Sequence, residues 1–525
     1  TNKLSNLYPQ KYSILIDSDR IKNVIASDDG GVITPDIAVN DGKTTLTLTF
    51  NRQVVGVGKT MPFTLRYEHG DVAHKVGSIW EVTVPGVSPD PDLGSYTVTL
   101  QVPPSFGPNA YLVPLPAGGR NTWTREQMLS GGISAAYGTE QVFALTLSYY
   151  LENPRITRQT QEIALPPDTA FQKVTLTAID PAPREIVQDD DGNWLARFDL
   201  APTQKLNITA KVTVSLTLDP RPEWEEKSVN ADAYLVEQKY WERNDAGIAK
   251  IAKTHTTARS IYDYVVRTLS YDFKRINQNP IRKGAVQALL APETAICMEF
   301  TDLFVTLARA AGIPAREAVG FAYTTNTRLR PLSLVRDVLH AWPQYYDENR
   351  HIWISVDPTW EKTTGGINYF DKLDFNHIVF AIHGQSSTYP YPAGSYRPAQ
   401  KEGKDIVVEF GTPAKVTGGK INVRFFLPKT VRSGWGAAGS VVVENTAQTG
   451  ITVGSIIAQV SPHGQTTTEP RRYLPPLGTV TVPVAIEPAS YFYRGAERVI
   501  VTVAGQTFEQ SIPVEPPYML YIPIV

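Results

Sequence analysis

One cysteine in 525 residues leaves no partner for a disulfide within the chain, so each domain must hold together through buried area and hydrogen bonds. That scarcity also confines thiol chemistry to one position. Charge of neither sign is in excess: 50 Lys and Arg against 52 Asp and Glu give a formal net charge of −2. A nucleic acid or an anionic membrane surface is thereby excluded as the main partner, because no basic stripe is present to release counterions. No apolar run is long enough to span a bilayer. The eight histidines are scattered without a His-Glu-x-x-His pattern, and a single cysteine excludes Cys-rich zinc sites, so no metal is expected. No glycine-rich phosphate loop precedes a helix, and no cofactor is expected. The acidic run Asp189-Asp190-Asp191-Gly192 lacks the further oxygen ligands of a calcium loop and reads as a solvated hairpin turn.

What is present is mostly strand. With 42% hydrophobic residues the chain can bury several cores, and its length suggests about three to five domains. Thr44 to Phe50, Ile79 to Val84, Ser95 to Val102 and Val142 to Leu151 alternate with the period of two expected of half-buried strands. An internal echo runs through this region. Ile14 to Val24, Asp41-Gly42, Leu46, Phe50 and Lys59 to Leu65 resemble Ile163 to Val174, Asp191-Gly192, Leu195, Phe198 and Lys205 to Val212. The Asp-Gly turns are offset by 150 residues (191 minus 41), which suggests two related sandwich units in tandem.

Two prolines in Asp219-Pro220-Arg221-Pro222 break both periodicities and mark a boundary. Helical spacing of apolar residues follows, up to Phe273. A second boundary falls in the Pro/Gly/Tyr/Ser-rich stretch from Tyr389 to Lys404, and about seven strands from Ile406 to Val514 then predict an immunoglobulin-like sandwich. The expected domains are thus a β-sandwich region at 1–155, a second sandwich unit at 156–222, an α+β core at 223–395 and a C-terminal sandwich at 403–525.

The one cysteine sits in that core. From Cys297, the residues Phe300, Leu303, Phe304, Leu307, Ala308 and Ala311 recur at steps of three and four, which predicts a helix stopped by Gly312-Ile313-Pro314. Cys297 then occupies the first turn, where free backbone N–H groups and the positive end of the dipole favour a thiolate and can hold an oxyanion. Downstream, His340-Ala341-Trp342 opens an extended run, and Ile352 to Asp357 alternates so that Asp357 is expected to end a strand. A thiol nucleophile needs an imidazole to draw its proton and a third group to orient that imidazole, and Cys297, His340 and Asp357 supply those types in one segment.

Cys297-Met298-Glu299-Phe300, Leu307 to Arg316, His340-Ala341-Trp342 and Val356-Asp357-Pro358-Thr359-Trp360 together resemble the core of the transglutaminase-like superfamily. The chain is most similar to bacterial extracytoplasmic transglutaminase-domain proteins with flanking β-domains. The resemblance covers about residues 223 to 395. It implies a papain-like α+β fold with Cys297 as nucleophile, His340 as general base and then acid, and Asp357 as its orienting partner. It further implies thiol-dependent acyl transfer on protein or peptide amides, by transfer or by hydrolysis, and Tyr271 falls where relatives often supply a second oxyanion donor. Trp342 and Trp360 are candidates for the walls of the cleft. Arg316 and Glu317 read as structural ion-pairing groups, and His377 and His383 as packing or exposed residues, with a supporting contact behind the catalytic groups as the alternative.

The other reading is a surface structural or adhesive protein whose β-domains make self-association or partner contacts around an inherited, inactive core. Richness in Thr, Tyr and Pro with many short strands fits an extracytoplasmic, secreted or cell-surface location. A leader removed before Thr1 is open, and the apolar tail Met519 to Val525 fits a terminal strand as well as the approach to an anchor.

Overall fold

The computed structural model describes residues 2–517 apart from 4, 90–92, 118–120, 130–131, 223, 225–229, 278–279, 325–338, 365–366, 397–403, 416–418 and 471–472. The start of the expected core at 223, the start of the expected C-terminal domain at 403 and the apolar tail 519–525 lie outside the described residues. The chain divides into two compact units, Thr1–Gly138 and Thr139–Val525. Among the described residues no helix is long and apolar enough to cross a membrane.

The first unit is built of short sheets. Lys11–Ile16, Lys43–Thr49 and Asp36–Asn40 make one three-stranded sheet, and Gly31–Ile33, Ile21–Asp28 and Phe63–His69 another. Thr44, Leu46 and Leu48 are buried at alternate positions, as the pattern predicts. A four-stranded sheet of Asn109–Val113, Ile133–Tyr137, Ile79–Val84 and Ala73–Val76 completes the larger elements.

The second unit opens with a β-sandwich. One sheet runs Gln172–Asp180, Lys205–Leu216, Gln141–Glu152, Ile406–Phe410; the other runs Gln159–Leu165, Trp194–Leu200, Glu185–Gln188. Phe143, Leu145, Leu147, Ile163, Val174, Trp194, Val212 and Val214 fill the space between them. Two expected boundaries therefore move. Gln141–Glu152 pairs along its whole length with Lys205–Leu216, so the first break falls between Gly138 and Thr139, not at 155/156. Ile406–Phe410 pairs with Phe143–Leu147, so it closes this sandwich and does not open the C-terminal one. Pairing depends on partners far away in sequence, and a boundary set by local breakers cannot register it. The 150-residue echo corresponds to one pairing scheme used twice. Lys11–Ile16, Lys43–Thr49 and Asp36–Asn40 are ordered as Gln159–Leu165, Trp194–Leu200 and Glu185–Gln188 are, while Ile21–Asp28 pairs with Phe63–His69 as Gln172–Asp180 pairs with Lys205–Leu216.

Between Leu216 and Ile406 the chain leaves the sandwich to build the α+β core. Its antiparallel sheet has the order Ile352–Ser355, His340–Asp347, Ala315–Ala322, His377–His383. Helices Ala246–Ala252, Ala258–Thr268, Ala285–Leu290 and Cys297–Ala310 share a separate apolar cluster through Ile248, Ile261, Val265, Ala288, Phe300, Leu303, Phe304 and Leu307. The edge strand His377–His383 is held by the sandwich through side-chain amides that take the place of a neighbouring strand. Gln172 accepts from the Val379 N–H at 2.9 Å and donates to its carbonyl at 3.0 Å. Asn193 does the same at Ile382, at 2.7 and 2.8 Å.

The acidic turn is not simply solvated. Asp191 is buried and accepts from the N–H groups of Gly384 and Gln385, anchoring the end of the same strand. After residue 420, Ile421–Phe426, Ala437–Asn445 and Thr479–Ile486 pack against a five-stranded sheet, forming the C-terminal sandwich around Val441, Val443, Ile456, Val482 and Val501.

Candidate active site

Cys297 begins the helix Cys297–Ala310, as its periodicity predicts. Glu299, fully buried, reaches back to accept from the Ile296 N–H at 3.0 Å and is itself paired with Arg275 at 2.9 Å. The first turn is thereby fixed in place, and the N–H groups at its start have no intrahelical acceptor. At the far end Gly312 takes φ +82°, the left-handed conformation that closes a helix, and Ile313 N–H returns to the Ala308 carbonyl at 2.8 Å. Cys297 is 7% exposed, beside Val319 and Ala341, so the residue retains a narrow exposure to solvent.

His340 starts the strand His340–Asp347, which lies between Ala315–Ala322 and Ile352–Ser355. Asp357 does not end a strand. It lies two residues beyond Ser355 and caps the short helix Pro358–Thr363, its Oδ1 accepting from the Thr359 and Trp360 N–H groups at 2.9 and 3.0 Å. The Asp-Pro pair is the ordinary opening of a helix: a capping carboxylate followed by proline at the first turn. With Oδ1 so occupied, Oδ2 faces His340 Nε2 at 2.8 Å. The Nδ1 atom of the ring is left free of Asp357. Burial works to lower the His340 pKa, but the charge of Asp357, its hydrogen bond and the Cys297 side chain outweigh it and push it up to about 9. Burial also acts to raise the pKa of Asp357, and His340 and His377 reverse that effect, holding it well below the usual carboxylate range.

His377 takes the alternative role, a contact behind the candidate catalytic groups, and not the exposed or simply packed one. Its Nε2 lies 3.1 Å from the same Asp357 Oδ2, and its Nδ1 lies 2.7 Å from Asp374 Oδ1. Both His377 and Asp374 are buried. A strand start 20 residues after Asp357 carries no local mark of this contact; Asp374, three residues before His377, is the nearest thing to a signal. His340, Asp357 and His377 are also the group of His, Cys, Asp or Glu side chains among the described residues whose atoms lie close enough together to share an ion, within 4.8 Å. The hydrogen bonds above already engage those three atoms.

Trp342 and Trp360 are fully buried and do not wall an open cleft. Their rings stack near His340 with centroids 5.8 and 5.3 Å away, which keeps water from the imidazole and suits its cationic form. Trp342 also borders a cavity of about 130 Å³ between the sandwich and the core, which Cys297 and His340 do not line. Tyr271 is bridged through its backbone to Ala295, two residues before Cys297. Burial and the neighbouring Cys297, Asp357 and Glu299 side chains push its hydroxyl well above the ordinary tyrosine value, so it stays a proton donor.

Glu317 is buried against Arg282 at 3.0 Å and His383 at 2.7 Å, in the structural role read from sequence. Arg316 instead donates to Gln344 and lies over the Trp353 ring. His383 holds the Pro390 carbonyl through Nε2 and Glu317 through Nδ1.

Residues 244–358 match the family model of the transglutaminase-like superfamily. No curated protein matches the chain. Among solved structures, a candidate cysteine protease from Cytophaga hutchinsonii is 15% identical over 52% of this chain and 87% of that one, with a TM-score of 0.33. The transglutaminase of red sea bream is 12% identical over 71% and 80%, with a TM-score of 0.20. A candidate protease from Parabacteroides distasonis is 13% identical over 92% and 86%, with a TM-score of 0.17. The family match, lying on the segment that carries Cys297, His340 and Asp357, identifies a transglutaminase-like domain within this β-rich chain.

Proposed function

We propose that this chain is a thiol-dependent acyltransferase or amide hydrolase acting on protein or peptide substrates through Cys297, His340 and Asp357. The observation that supports it best is the 2.8 Å contact of His340 Nε2 with Asp357 Oδ2, which leaves Nδ1 as the ring nitrogen available to serve Cys297, the residue that starts its helix. In this reading His340 Nδ1 takes the Cys297 proton, the sulfur attacks an amide carbonyl, and the helix-start N–H groups with the Tyr271 hydroxyl receive the oxyanion. The imidazolium returns its proton to the leaving amine, and water or a second amine then resolves the thioester.

The test is a peptide library incubated with and without a primary amine. Amine incorporation marks transfer, and shortened or deamidated peptides mark hydrolysis; both must vanish in Cys297→Ala. Persistence of either activity in that variant removes Cys297 from the reaction.

The β-rich surface protein remains as a second reading, favoured by one observation. At one end of the C-terminal sandwich Trp435, Tyr491 and Phe492 are 59, 57 and 88% exposed, and the Gly434 backbone abuts the Tyr491 ring. Such residues suit partner contact. An extracytoplasmic location fits both readings.

A further inference from the structure

The Cys297–His340–Asp357 reading accounts for one of the two imidazoles on Asp357. The other, His377, is fully enclosed, with one ring nitrogen on each of two carboxylates. A neutral imidazole has a single N–H, and its bare nitrogen would then face a carboxylate oxygen at 2.7 or 3.1 Å. The arrangement is satisfied when both nitrogens carry protons. We propose that His377, held by Asp374, is a positioning residue of this site: its cationic ring keeps Asp357 ionised and aimed at His340.

Geometry carries the argument. Asp357 Oδ2 is shared by the two Nε2 atoms, while Oδ1 is fixed by backbone N–H groups, so the carboxylate has no rotamer freedom left. Around His377, Asp357 and Asp374 hold the two ring nitrogens, the His340 ring lies 5.5 Å away, and the Trp342 and Trp360 rings lie at 4.9 and 4.5 Å. His377 and Asp374 also border the cavity of about 130 Å³, whose other charged lining residues are Asp219, Arg350, Asp371 and Lys372. Without the His377 charge, two buried carboxylates would stand close together with His340 as their cation. Asp357 would then take up a proton more readily, and a thiolate at Cys297 would form in a more negative surrounding. Burial tends to lower the His377 pKa, and Asp374 and Asp357 together overcome it and push it up to about 9.

The experiment measures the rate of Cys297 alkylation by iodoacetamide against pH, on the full chain, in wild type, His340→Ala, His377→Phe and His377→Gln. Phe removes both donors at similar volume; Gln restores a neutral donor. The proposal expects the acid limb of the profile to move up by about one unit or more in both His377 variants. It also expects the rate at neutral pH to fall about 10- to 100-fold in His377→Phe and less in His377→Gln. If His377→Phe is not recovered folded, His377→Gln alone decides through its acid limb. An unmoved limb in a folded His377 variant overturns the proposal while leaving the underlying reading intact. If His340→Ala itself alkylates with the wild-type profile, the Cys297–His340 pairing is what fails.

Discussion

Replacing Asp357 by Asn tests the site at its most constrained atom. The amide oxygen would keep the two capping bonds to Thr359 and Trp360, so the helix Pro358–Thr363 remains closed. The amide nitrogen would then stand where Oδ2 stood and present N–H groups to His340 Nε2 and His377 Nε2. His340 answers by carrying its proton on Nδ1, the atom proposed to accept the proton of Cys297. The electrostatic part can be sized from the same geometry. Pushed up to about 9 from an ordinary 6.5, the His340 imidazolium gains on the order of 3 kcal/mol over burial, most of it from Asp357 and the rest from the Cys297 side chain. That corresponds to a loss of about 10² in rate, and the tautomer error carries it toward the loss of about 10⁴ known for this change in serine triads. Alkylation of Cys297 by iodoacetamide, followed by mass at that residue from about pH 5 to about pH 10, reports the change without requiring the natural substrate. A folded Asp357→Asn protein that alkylates within about threefold of wild type would refute the orienting role.

Tyr271→Phe should reduce turnover by about 10²-fold if the hydroxyl receives the oxyanion, while alkylation of Cys297 stays at the wild-type rate; equal turnover in the two proteins returns Tyr271 to packing. The pH dependence of unfolding carries a sign. His340 and His377 both rise from 6.5 to about 9, so the stability they contribute is complete below about pH 6.5 and is lost as pH climbs through about 9. Asp357 is depressed, so its contribution holds above its unfolded value and is lost in acid. Chemical denaturation across pH should therefore show a plateau that falls on the alkaline side, and the fall should shrink in His377→Gln. Asn193→Leu leaves the Ile382 N–H and carbonyl without their amide partner in a buried position, which should cost about 3 kcal/mol. A change in denaturation midpoint worth under about 0.5 kcal/mol would show that the clamp is dispensable.

The helix bearing the thiol was legible because its evidence is local: a stripe at helical spacing, then Gly312-Ile313-Pro314. His340 and Asp357 were legible as residue types in order, although Asp357 proved to be a cap, a role already written in Asp-Pro-Thr. The strands near 141–152 and 406–410 were legible as strands and were assigned to the wrong sheets, because strand pairing is settled by distant partners. For His377 the supporting contact was legible only as an alternative to packing, for the same reason: it joins Asp357 through tertiary placement, across a gap in sequence that no helix or turn period relates. Trp342 and Trp360 gave an aromatic signal with no direction, and only the packed sheet shows them turned onto the imidazole.

The strand His377–His383 joins these threads. It is an edge of the core sheet, and an edge left open presents unpaired N–H and C=O groups at a cost. Here the sandwich closes it with Gln172 at Val379, Asn193 at Ile382 and Asp191 at Gly384 and Gln385. The first residue of that strand is the imidazole on Asp357. The clamp that completes the sheet therefore also sets where His377 stands, two residues from the Gln172 contact. The clamp residues all lie in the segment 141–216 that precedes the core, and Ile406–Phe410, after the core, closes the same sandwich by pairing with Phe143–Leu147. A core cut free of the sandwich would lose both the partner of its edge and the support behind its carboxylate, which makes the β-rich surroundings part of the site's construction.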